Sequence, residues 1–212
     1  MATAWTVPPM WAGKTVVVMA TGPSLTREQC SLVGAAAVPS IAINDNGIDV
    51  TRDGKRYPAM APFADILYAS DSAWWRAHAQ QALKFRGLKV TCMDSVEFRD
   101  VLCLRQTGTE GFDPNPRNIK TGGNSGYAAI HIAIHAGAKR ILLLGFDMSA
   151  DKGGHWFGRH THGLRNTDPS SFDRWRSRFH ALSGRGAKII NCTPGSRLDC
   201  FDRMDLTEAL YA

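Results

Sequence analysis

The chain has 212 residues, 44% of them hydrophobic and 21% charged, with a formal net charge of +6. This composition excludes a disordered chain, and the length suits one domain spanning residues 1–212. No run of ~18 consecutive apolar residues occurs, so no membrane span is expected, and the opening residues lack the charged-then-apolar pattern of a signal peptide. Residues 1–13, which contain Pro8-Pro9, predict an irregular lead-in. Thr15–Met19 predicts a strand that ends in the turn Gly22-Pro23-Ser24, with a helix over Ser24–Val33 capped by Ser24. Pro39–Ile43 predicts a second strand, ending at Asn44, and Ile66–Ala69 a third. Ser70-Asp71-Ser72 is an N-cap cluster for a helix over Ala73–Lys84, and Leu88–Thr91 predicts a fourth strand.

Residues 105–123 are rich in Gly, Pro, Asn and Thr and predict a long loop. Helical spacing follows over Asn124–Ala136, then an apolar strand over Arg140–Leu144. A second long loop, residues 149–169, is rich in Gly and His. A helix is predicted over Ser170–Ser183, a last strand over Lys188–Asn191 and a short helix over Leu206–Leu210. Strands alternating with helices imply a Rossmann-like, doubly wound α/β fold, with a mostly parallel sheet covered on both faces.

The positive charge favours an acidic partner such as a nucleotide, a phosphorylated substrate or DNA, but it forms no basic run, and a plain basic surface stays open. Five cysteines with no CxxC pair read as reduced thiols, which points to the cytoplasm. Trp5, Trp11, Trp74 and Trp75 fit an aromatic core, with an oligomer interface as the alternative.

In such a fold the loops after Met19, Ile43, Ala69 and Leu144 meet at one edge of the sheet, where ligands bind. Gly22 lets backbone approach a ligand, Pro23 fixes φ, and a helix N-terminus beside them suits an anion. Gly123, Asn124 and Ser125 offer amide, hydroxyl and backbone donors at a second helix start. Gly13-Lys14-Thr15 is not a P-loop, because Pro8 stands where the first glycine is required. His131 and His135 have zinc-like spacing, but Ile132 replaces the glutamate of a zincin, so a satisfied or half-buried helical pair is expected. His155, His160 and His162, with Asp147 and Asp151, offer a general base, metal ligands or a solvated loop.

Ala20-Thr-Gly-Pro-Ser-Leu25 resembles the Gly-Asn-Gly-Pro-Ser-Leu signature of the bacterial family 42 sialyltransferases. The same signature marks a wider group that includes archaeal hydroxymethyl-dihydropterin pyrophosphokinases and small proteins of tailed phages, which this chain resembles most. Five more segments follow in the family's order. Ile43-Asn44 resembles its strand-two asparagine, Gly122–Gly126 its nucleotide loop, and Ile141–Asp147 its strand ending in Gly-Ile-Asp. His162–Asp168 resembles the segment of its catalytic histidine, and Cys192–Ser196 its Cys-Pro-Asn-Ser turn. Together these cover about residues 15–200. Thr21 stands where the sialyltransferases have asparagine. The histidine is offset, so His160 and His162 both qualify. Trp156 and His155 occupy the region of the family's donor-phosphate tyrosines.

The resemblance implies a nucleotide-dependent transferase, a glycosyltransferase that needs no metal and takes a CMP- or UDP-type sugar donor. Gly22, Pro23, Ser24, Asn44, Asp71, Gly123, Asn124 and Ser125 would bind the nucleotide. Asp147 would shape the donor pocket, and His162 or His160 would deprotonate an acceptor hydroxyl. His155, Arg159, Arg165 and Ser196 would face phosphate or acceptor, with DNA left open as the acceptor. The pterin enzymes imply an alternative, Mg2+-dependent diphosphate transfer using Asp45, Asp71 and Asp147. A non-catalytic nucleotide- or DNA-binding protein is a third reading.

Overall fold

The computed structural model describes every residue except Lys152, Thr161 and His162. In chain order the elements are β1 (Thr3–Ala4), β2 (Thr15–Met19), α1 (Arg27–Ala36), β3 (Ser40–Ile43), β4 (Val50–Arg52), β5 (Lys55–Tyr57) and β6 (Ile66–Tyr68). They continue with α2 (Ser72–Ala82), β7 (Leu88–Thr91), β8 (Val101–Cys103), β9 (Arg105–Gln106) and β10 (Asn118–Ile119). Then come α3 (Ser125–His135), β11 (Arg140–Leu144), α4 (Ser171–Phe179), β12 (Lys188–Asn191), β13 (Asp202–Arg203) and α5 (Leu206–Tyr211).

Nine strands form one sheet in the order β1-β8-β7-β6-β3-β2-β11-β12-β13, and every pairing in it is parallel. Buried on both faces, such strands must be apolar nearly throughout. Val16–Met19 and Ile141–Leu144 satisfy this, and each of these residues is fully buried. Alternate residues feed two cores. Val16, Val18, Ile141 and Leu143 pack with α3 and with Phe179 at the end of α4. Val17, Met19, Leu142 and Leu144 pack with side chains of α1, α2 and α5. This is the doubly wound α/β architecture expected from the alternation of elements.

From β2 the chain winds outward through β3, β6, β7 and β8, then returns to β11 on the other side of β2. The strand order therefore reverses between β2 and β11, and the crevice beyond their carboxyl ends is where open α/β sheets bind ligands.

Four local features differ from the sequence reading. The N-cap of α1 is Thr26, whose side chain accepts from the backbone of Gln29 while Gln29 returns a bond to the Thr26 N–H. This capping box outcompetes Ser24, whose groups are engaged elsewhere. The lead-in carries β1, which pairs with β8. The 105–123 loop carries β9 and β10, which pair with each other. β4 and β5 form an antiparallel hairpin turned by Asp53 and Gly54, both with positive φ.

Of the tryptophans, Trp11, Trp74 and Trp75 are buried in the core. All five cysteines are free, and burial pushes the Cys30 thiol up to about 12. No helix among the described residues is long and apolar enough to cross a membrane.

Candidate functional site

A cleft opens at the reversal point between β2 and β11. It is lined by the loops after β2, β3, β6 and β11, by the start of α3, and by parts of the 149–169 segment and α4. Gly22, Pro23, Asn44, Asp71, Gly123, Asn124, Ser125, Asp147, His155, His160 and Arg165 all line it. The sequence reading placed each of these residues at a site.

The loop after β2 is clamped to the loop after β11. Gly22 donates its N–H to the carbonyl of Gly145 at 3.0 Å. Ser24 donates its N–H at 3.2 Å and its hydroxyl at 2.8 Å to the Asp147 carboxylate. A side chain at position 22 would overlap Asp147 Oδ2 and the Gly145 carbonyl oxygen, so the sharp turn there requires glycine. Ser24, expected to bind nucleotide, does not itself line the cleft; it holds Asp147, which does, and serves that carboxylate rather than α1.

On the other wall, Asn44 holds a left-handed backbone conformation, φ 51°, directly after β3. Asparagine tolerates this region better than most residues. Its Oδ1 is buried with no hydrogen-bond partner. Asn124 caps α3 by accepting from the Tyr127 N–H at 2.9 Å, which leaves its buried Nδ2 without a partner. The N–H groups of Ser125 and Gly126 fall in the first turn of α3, where a helix has no internal acceptors to offer them. Ser70 and Ser125 share a hydroxyl hydrogen bond of 2.7 Å, which ties the loop after β6 to this helix start. Asp71 caps α2 by accepting from the Ala73 N–H at 2.7 Å.

The histidines come from the 149–169 segment. His155 Nδ1 lies 2.9 Å from the Thr21 hydroxyl, and the ring stacks on Phe157 at 4.8 Å and 13°. His160 meets His155 edge-on at 4.5 Å. Burial, reinforced by His160, lowers the His155 pKa to about 4. Burial also holds His160 below the ordinary histidine value, with Asp45 acting against it and Arg52 with it. Both imidazoles are therefore neutral at physiological pH, the form that accepts a proton. His160 Nδ1 is buried without a partner.

Several candidates lie elsewhere. Ser196 is buried away from the cleft; its hydroxyl donates to the Phe146 carbonyl at 2.5 Å and accepts from Asn191 and Leu198, holding the 192–198 turn. Arg159 is exposed and does not line the cleft. Asp151 pairs with Arg197 at 2.6 Å on the surface. Asp45 is fully buried, ion-paired with Arg52 and bonded by the Trp74 indole N–H at 2.6 Å. His162 lies outside the described residues. Among the described residues no three His, Cys, Asp or Glu side chains gather as they would around a metal ion. His131 and His135 sit on α3 as a structural pair. His131 accepts from the Lys120 N–H at its Nδ1, and its Nε2 lies 3.0 Å from the Asp113 carbonyl.

The sequence reading missed the cleft's aromatic wall, Phe172 and Trp175 of α4, whose rings meet edge-on at 5.5 Å. Both lie on the helix predicted over Ser170–Ser183, but nothing in the sequence marks which of its faces lines a ligand site. It also missed the Asp45–Arg52 pair, although the Asp53-Gly54 dipeptide signals the hairpin that supplies Arg52. No family model matches the chain, and no curated protein is similar to it.

Proposed function

We propose that the protein is a nucleotide-dependent transferase that moves a glycosyl group from a nucleotide-activated donor to an acceptor hydroxyl. The observation that carries this reading is a convergence. Asn44 Oδ1, Asn124 Nδ2 and His160 Nδ1 are buried polar atoms without protein partners, and all three residues line the same cleft. Buried polar atoms left unpaired are costly, so their grouping at one site suits a polar ligand that pairs them. The cleft's position at the reversal of strand order suits a nucleotide.

In this reading the start of α3 receives the donor phosphate, with first-turn N–H groups and the helix dipole favouring negative charge. Phe172 and Trp175, set edge to face, offer a single aromatic ring face for the base to stack on. His160 takes the proton of the acceptor hydroxyl. The acceptor oxygen bonds to the sugar's anomeric carbon as that carbon's bond to the phosphate oxygen breaks. Arg165 offsets the negative charge left on the departing nucleotide.

Mg2+-dependent diphosphate transfer has less to draw on, since a metal needs carboxylates free to coordinate it. Asp45 is committed to Arg52 and Trp74, Asp71 caps α2, and Asp147 receives Ser24.

The test is release of nucleotide from CMP- and UDP-sugars, with and without EDTA, in wild type, His160→Ala and His162→Ala. EDTA-resistant release that disappears in His160→Ala is the expected result. Loss only in His162→Ala would move the base to that residue. Release that needs Mg2+ would favour diphosphate-type chemistry, and no release from any donor would overturn the transferase reading.

A further inference from the structure

We infer that Arg52 is a positioning residue for His160: clamped to Asp45, its guanidinium holds the ring stack that sets His160 into the cleft. The inference rests on the proposed role of His160 but is tested without substrate. Arg52 is 5% exposed, on β4, and does not line the cleft. Its Nη2 is ion-paired with Asp45, which is itself fixed by the Trp74 indole and lies 3.9 Å from His78 Nε2. On its other side the guanidinium lies 3.7 Å over the centre of the Phe157 ring. Phe157 stacks on His155 and meets His160 at 5.3 Å, and His155 meets His160 at 4.5 Å. A continuous path thus runs from a buried carboxylate to the candidate base.

Residues 154–160 contain no helix or strand, so side-chain docking must hold them. The docking partners cluster on the hairpin and the turn before it. Arg52 holds Phe157, Asn46 accepts from the Trp156 indole at 2.7 Å, and Tyr57 meets Trp156 edge-on at 6.2 Å. Thr21 adds a backbone bond from the Trp156 N–H at 3.0 Å. A planar guanidinium suits this place because it can stack on a ring while its edge pairs with a carboxylate, which an ammonium cannot do.

The groups facing His160 are Asp45 and Arg52, His78 and Asp71, and its neighbour His155. Arg52→Met removes both the stack and the charge that balances Asp45, so His160 should become easier to protonate on two counts. Asp45→Asn/Arg52→Met removes both charges of the pair. Asp45, which favours the charged imidazole, weighs more on His160 than Arg52 does, so losing both charges by itself lowers the titration; a rise there reports the lost stacking, and the neutral pair keeps a fold that the single variant risks losing.

The experiment is imidazole titration by NMR in the ligand-free protein, with ring-to-ring cross-peaks among His155, Phe157 and His160. The expected result is weakened cross-peaks and a raised His160 titration in the double variant, with a larger rise in Arg52→Met if it folds. Unchanged cross-peaks and titration in the folded double variant would overturn the inference. Nucleotide binding is measured separately on wild type, so its absence would count against the transferase reading and leave the NMR result for Arg52 standing.

Discussion

Ser24 gives both its backbone N–H and its hydroxyl to one carboxylate, that of Asp147, across 123 residues of chain. The two bonds join the loops that follow β2 and β11, where the strand order reverses. Charge-assisted bonds of this kind are worth about 1.5–3 kcal/mol. Asp147→Ala should therefore lower stability by ~2–3 kcal/mol, and Ser24→Ala, which keeps the N–H bond, by only ~1 kcal/mol. Urea unfolding of the two variants checks the order. Equal losses would show that the hydroxyl bond carries the whole of the Ser24–Asp147 link.

Gly22→Ala should be worse tolerated than either loop's polarity suggests. The added methyl would overlap a backbone carbonyl, that of Gly145, as well as Asp147. Trimming Asp147 cannot relieve the backbone clash. We expect Gly22→Ala to cost about 1–3 kcal/mol, and Gly22→Ala/Asp147→Gly to recover none of it. Full recovery in the double variant would place the clash on the carboxylate alone.

Asn44 separates backbone from chemistry. Its φ of 51° is easy for glycine and costly for alanine. Asn44→Gly should keep the thermal stability of the wild type yet bind nucleotide more weakly, since the side-chain amide, with its unpaired Oδ1, is lost while the backbone conformation is kept. Asn44→Ala should lose both. Calorimetric binding and thermal melting of the pair measure the two effects independently.

Acid should destabilise the protein before its carboxylates titrate. Burial lowers the His131 and His155 pKa values from 6.5 to about 4. Between those values the unfolded chain binds protons that the folded chain refuses, so stability falls as pH drops through that window. His131 is fully buried and should contribute ~3 kcal/mol to the loss. His131→Gln should be less stable at neutral pH but lose less on acidification. Melting temperatures recorded across the window check this, and parallel curves for the two proteins would count against it.

The sheet was legible because its central strands are buried on both faces and so are apolar without interruption, as Val16–Met19 and Ile141–Leu144 show. The cleft edge followed, since strand ends in such a sheet must converge. The hairpin was less legible. Lys55-Arg56-Tyr57 has no apolar face, and its one signal was Asp53-Gly54. The histidine arrangement was not legible at all. Residues 149–169 have no periodicity to fix where side chains point, and their anchors are distant in sequence. Asn46 and Trp156, for example, bond across 110 residues. Ser24 illustrates the opposite error. A serine after a turn resembles a cap, but Thr26 with Gln29 makes the better one, which frees Ser24 for Asp147.

The measurement that bears most directly on the central claim is thermal melting with CMP, CDP, UMP, UDP, GDP, AMP and ATP, each with and without Mg2+, on wild type and Asn44→Gly. A ligand that binds the native state raises the melting temperature by mass action. A rise with a nucleoside mono- or diphosphate in wild type, without Mg2+, that shrinks in Asn44→Gly is the predicted result. No rise across the panel, or a rise that Asn44→Gly leaves untouched, would contradict a nucleotide seated in this cleft.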